Sequence, residues 1–154
     1  MYSTSYRARE WEADDEFSRA LRQVEEGLAD MGRGDAHAYK ACWADTTDST
    51  LFGAWGTMER GQADIDATLD WVASRFSGGP LVPRYDVVVE TGDTAWTVGS
   101  ERGVVSVDGA PATEVTIRVT HIYRKTSEGW RILHRHGDHP PTLSRPPRLG
   151  RSSD

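Results

Sequence analysis

The chain contains one cysteine, Cys42, in 154 residues. A lone cysteine excludes an internal disulfide and fits a reducing compartment. Long apolar runs are missing as well: a membrane span needs about 18 consecutive apolar residues, and none occurs. Positive charge is scarce, since 18 Lys and Arg against 24 Asp and Glu leave a formal charge of -6. That is the wrong sign for a general nucleic-acid binder, which carries a basic face. No G-x-S-x-G, P-loop or G-x-G-x-x-G pattern occurs, so nothing points to a nucleophile elbow or a nucleotide cradle. The opening stretch MYSTSYRAREWEADDEF is acid-rich and has no apolar signal core. These absences set the expectation: a cytoplasmic protein with no membrane partner, no nucleic-acid partner and no cofactor.

What is present reads as one globular domain over residues 1–140. Hydrophobic residues make up 37% and charged residues 27%, a balance suited to a packed core. Six tryptophans are many for this length, and they are good at lining cavities. From Phe17, the residues Ala20, Leu21, Val24, Leu28 and Met31 recur at helical spacing until GRG at 32–34. Asp14, Asp15 and Glu16 suit the first turns of that helix, where the dipole favours negative charge. Asp35 can cap a short second helix carrying Tyr39, Cys42 and Trp43. LFGAWGTMERG then reads as a glycine-punctuated loop or short strand, and Gln62–Phe76 as a third helix with Ile65, Leu69, Val72 and Phe76 on one face. After Pro83 the period changes to that of strands: RYDVVVE, TAWTVGSERGVVSV, TEVTIRVTHIYRK and WRILHRH, separated by turns. Helices first and strands later mean an α+β fold, with three N-terminal helices on a curved antiparallel sheet of about four to six strands. The Pro- and Arg-rich stretch 141–154 reads as a disordered tail or docking arm.

The segment WRILHRHGDHPP poses the sharpest chemical question. H-x-H-x-D-H is a signature of metallo-β-lactamase-type hydrolases, where it follows an early strand and needs further ligands far downstream. Here only 15 residues follow His139, with no histidine or cysteine among them, so the expectation is no metal. With a turn at 126–129, Tyr123 faces Ile132, His121 faces His134 and Val119 faces His136. Arg118, Thr120 and Ile122 then share the other face with Arg135, unless a bulge slips the register.

The helices, GAWGTMERGQADI and the closing GWRILHRHGD together resemble the nuclear transport factor 2-like superfamily, over roughly residues 12–139. The SnoaL-like and ketosteroid-isomerase-like branches are the most similar, and IRVTH…GW…H-x-H resembles the calcium/calmodulin-dependent protein kinase II association domain. The resemblance implies a cone with a pocket between the concave sheet face and the helices, usually in a homodimer. In the association domain, arginines on late strands bind small carboxylates. By position they fall on Arg118 and Arg102, while the third falls on Gly137, for which Arg135 is the substitute. A ketosteroid isomerase requires a carboxylate base that falls on Leu51 or Phe52, whereas Asp45 and Asp48 come too early. Asp64 and Asp66 are explained by a helix start.

The candidate ligand-binding residues are therefore Arg102, Arg118 and Arg135, with Trp96, Trp55 and Tyr39 as walls. Arginine forks bind carboxylates bidentately. His136 is the candidate general base. Three functions remain open on these residues: a pocket binding a partly apolar organic acid or carbonyl compound, a cofactor-independent isomerase, cyclase or dehydratase, and a dimeric assembly module without a ligand.

Overall fold

The computed structural model describes residues 15–141. Trp11, the acids before Asp15 and the tail from 142 onward lie outside them. Helix α1 runs Glu16–Gly32, and Asp15 caps it by accepting from the Ser18 N–H at 2.8 Å. Its apolar stripe buries Phe17, Leu21, Val24, Leu28 and Met31 against the sheet. Phe17 sits edge-on to Tyr123 and Trp130, at 5.3 and 5.1 Å between ring centroids. The short α2, His37–Lys40, starts where the Asp35 carboxylate accepts from the His37 N–H.

Strands β1 (Thr50–Phe52) and β2 (Met58–Arg60) follow, and only then α3 (Gln62–Ser74). Helices and strands are thus less segregated than expected, because the GAWG stretch is the loop of a small hairpin. The remaining strands are β3 (Phe76–Ser77), β4 (Val82–Thr91), β5 (Thr94–Val107), β6 (Thr113–Thr126) and β7 (Gly129–Asp138). Among the described residues the sheet has seven strands in the order β2-β1-β7-β6-β5-β3, with β4 also on β5. It curls into a half-barrel with the helices in its hollow. One pair departs from the expected antiparallel pattern: β1 runs parallel to β7, with Leu51 opposite Arg135.

At Gly99 and Gly103 of β5 the neighbouring backbone before and within β4 comes close. A Cβ at either position would strike the carbonyl oxygen of Arg84 or of Pro80. A glycine is also required at the crossing of α1 and α2, where a Cβ on Gly27 would lie 2.7 Å from Tyr39 Cα.

The last hairpin corrects the sequence register. Tyr123 does face Ile132, but a bulge follows and Ile122 pairs with His134. One extra residue, Leu133, reverses the faces beyond it. His121 consequently lies beside Arg135, and Thr120 beside His136.

Candidate functional site

The concave face carries a polar cluster built from four elements. Glu101 on β5 and Arg135 on β7 form a bidentate ion pair, with Nη1 to Oε2 at 2.6 Å and Nη2 to Oε1 at 2.8 Å. Both side chains are buried. Tyr39, on α2, shares a hydrogen bond of 2.7 Å between its hydroxyl and His121 Nε2, from β6. Arg135 Nη1 also donates toward the Tyr39 hydroxyl oxygen, at 3.3 Å, and reaches within 3.3 Å of His121 Nε2.

The electrostatics follow from this enclosure. Burial first, and the Arg135 guanidinium second, hold His121 well below the usual imidazole range, so it is neutral. Arg135 Nη1, which can only donate, also faces Nε2, so the tautomer that leaves Nε2 without a proton fits both contacts, and in it Tyr39 is the donor in their bond. Burial raises the Tyr39 phenol above its ordinary range, with Arg135 opposing. Burial works against the charge on Arg135 too, but Glu101 and Tyr39 more than offset it.

Above the cluster lies a cavity with room for the centres of a few water molecules, about 40 Å³. The space between its walls is about 470 Å³ when the part open to solvent is included. Tyr39, Glu101 and Arg135 form its polar floor, Leu28, Leu51, Leu69 and Ile117 are among its apolar walls, and Trp55 and Thr57 come from the β1–β2 loop. Trp55 is held edge-on by Phe76 at 5.2 Å and by His139 at 4.9 Å, with the Arg75 guanidinium 5.4 Å from its ring centre. A smaller void of about 10 Å³, lined by Thr97, Glu101 and His121 among others, lies beside it.

Of the residues read from the sequence, Arg135, Trp55 and Tyr39 meet at this cavity. Arg102, Arg118, Trp96 and His136 do not. Arg118 faces outward, exposed, and is paired bidentately with Asp138 at 2.6 and 2.7 Å. Arg102 is exposed on the same convex face, and Trp96 and His136 share its alternation. The expectation that Arg118 points inward with Arg135 fails for one reason: the Leu133 bulge puts the two on opposite faces. His134 Nδ1 bonds Thr50 Oγ1 at 2.6 Å, and the Phe52 ring edge packs on both His134 and His136. Leu51, where the isomerase pattern has a carboxylate, is apolar and buried at the cavity wall.

Sequence reasoning missed Glu101 and assigned His121 to the wrong companions. Glu101 alternates with Ala95, Thr97 and Val105, all of which are buried, but that row is no more apolar than the opposite one, so its alternation did not single it out.

No curated protein matches the chain. Solved structures do, at low identity. A ketosteroid isomerase-like protein from Erwinia carotovora atroseptica is 18% identical, with a TM-score of 0.68 over 82% of this chain and 98% of that one. A protein of the nuclear transport factor 2-like family from Streptomyces avermitilis, provisionally assigned as a dehydratase, is 17% identical, with a TM-score of 0.65 over 82% and 95%. A provisionally assigned calcium/calmodulin-dependent protein kinase type II association domain from Thiobacillus denitrificans is also 17% identical, with a TM-score of 0.63 over 79% and 93%. At these identities the likeness is one of fold. The SnoaL-like domain model matches residues 22–140, and the chain belongs to the SnoaL-like family, with a nuclear transport factor 2-like fold.

Proposed function

We propose that the protein binds a small, neutral, mostly apolar molecule through a carbonyl or similar oxygen, in the cavity above Arg135. One observation carries the reading: the ionic groups at the cavity floor, Glu101 and Arg135, already neutralise each other. A carboxylate entering there would add an uncompensated negative charge to a buried site, which is costly. A ketone, ester or lactone oxygen needs only a hydrogen bond. The guanidinium has five N–H donors, and not all are engaged by Glu101, Tyr39 and His121. The apolar walls supply the affinity and the floor supplies orientation.

A second reading, proton-transfer catalysis, rests on the Tyr39–His121 bond, in which a neutral imidazole backs a phenol that could exchange a proton with a bound carbonyl. Both candidate bases are occupied, however. Both oxygens of Glu101 accept from Arg135, and His121 Nε2 accepts from Tyr39. Binding is therefore the leading reading, with no cofactor required. Val82, Val98 and Val104, exposed on the convex face, support a homodimer formed through the sheet.

The test is a thermal-shift and tryptophan-fluorescence screen of aromatic ketones against the matched carboxylic acids. Ketones are expected to raise Tm and change the Trp55 emission, and acids to do neither. In Glu101→Gln the guanidinium loses its counter-ion, at a cost on the order of 3–5 kcal/mol. Acids should then become the better stabilisers. Acids that stabilise the wild type as well as ketones do would sink the reading.

A further inference from the structure

One polar group at this cavity is unexplained by the floor. Thr57 Oγ1 is sealed from solvent and has no hydrogen-bond partner, although Thr57 lines the cavity. A buried hydroxyl left unmatched is costly, so native structures rarely keep one without a water or ligand to meet it. The local sequence accommodates the hydroxyl here. Its backbone carbonyl accepts from the Gly53 N–H at 3.0 Å, and the missing side chain of Gly53 leaves the space that Oγ1 takes, since a Cβ there would strike it.

Sheet alternation puts this hydroxyl on the same face as the floor. Leu51 is opposite both Arg135 on β7 and Glu59 on β2. Two residues on, Gly53 is opposite Thr57, so Thr57 belongs to the inward row. The backbones of Arg135 and Thr57 are two strand spacings across and two residues along from each other, roughly 12 Å apart. Arg135 and Thr57 thus both line this cavity, whose apolar walls include Leu51, Leu69 and Ile117.

We propose that Thr57 is a second anchor, so that the ligand of this cavity carries two oxygens: a carbonyl at Arg135 and a hydroxyl or ether oxygen at Thr57, separated by an apolar ring or chain. The inference rests on the binding reading above and narrows its ligand class from carbonyl compounds to two-ended hydroxy- or alkoxy-carbonyl compounds. It makes Thr57 a specificity-determining residue of the site.

The experiment compares two neutral probes of the same shape, para-(hydroxymethyl)acetophenone and para-ethylacetophenone, by calorimetry on wild type, Thr57→Val and Thr57→Ser. The quantity read is the ratio of the two Kd values for each protein, which cancels any general loss of stability. The ratio should favour the alcohol about three- to tenfold more in wild type than in Thr57→Val. Thr57→Ser, which keeps the hydroxyl, should retain the wild-type ratio. An equal ratio in wild type and Thr57→Val would overturn the Thr57 anchor while leaving the cavity reading in place. If neither probe bound the wild type, the cavity reading would fall, and the anchor with it.

Discussion

Folding removes the His121 imidazole from its ordinary titration range, and this gives the protein a defined response to acid. Its imidazole is neutral in the folded state, held well below the ordinary value of 6.5 by burial and by Arg135. The unfolded chain therefore binds a proton on this side chain at a higher pH than the folded one does. Stability contributed this way is complete above 6.5 and is lost progressively as pH falls below it, toward the depressed folded value. His134, lowered by burial and by His136, adds to the same trend. Thermal melting from pH 7 downward should show a fall in Tm beginning near 6.5, and His121→Gln should flatten it; an unchanged profile in the variant would place the titration elsewhere. Cys42 takes no part in this range, because burial pushes its thiol up to about 11. The residue types of the site were visible in the sequence, but their company was not. Arg135 and Tyr39 stand out by type, whereas Glu101 hides in a strand whose two rows are equally mixed. Ala95, Thr97, Glu101 and Val105 face in while Trp96, Val98, Arg102 and Val104 face out. Polarity alone cannot choose between such rows.

At the scale of elements, α1 and α3 and the four long strands follow directly from periods of about 3.6 and 2. What escaped is the geometry between them. The Leu133 bulge has no marker such as glycine or proline, so turn arithmetic from Ser127-Glu128 carries correctly to Ile132 and fails beyond it. The β1–β2 hairpin is short, and its partner β7 lies some 80 residues away, so local pattern had little to say about it. The contact of α1 with α2 can be tested directly. Gly27 lets Tyr39 approach to a distance that a methyl group would block. Gly27→Ala should push α2 outward, destabilise the fold by about 1–3 kcal/mol and break the Tyr39–His121 bond. Denaturant unfolding measures the first effect, and weakened ketone binding the second. Full binding in the variant would mean that Tyr39 is not positioned by this contact.

At the scale of the whole molecule, the half-barrel separates two kinds of surface. Its hollow is filled by helices and by the cavity, while its back carries Val82 at 54% and Val104 at 60% exposure beside the Arg118–Asp138 pair. A dimer through this back would cover those valines and leave the cavity untouched. Sedimentation should therefore give a dimer for wild type and a monomer for Val98→Glu combined with Val104→Glu, with ketone binding equal in both. A monomeric wild type would remove the dimer from the reading. Among the described residues, no helix is long and apolar enough to cross a membrane.

The parallel pairing of β1 with β7 also governs the order in which the chain can become a protein. β7 is the last strand among the described residues, yet it sits in the interior of the sheet, between β6 and β1. Until it arrives, the β1–β2 hairpin has no neighbour, Glu101 has no counter-ion, and one edge of β6 is bare. The loop that must close to join Leu51 to Arg135 spans most of the domain, and such closures are slow because their entropy is spent before any contact rewards it. The floor of the binding site is complete only when β7 docks, because Arg135 arrives on that strand.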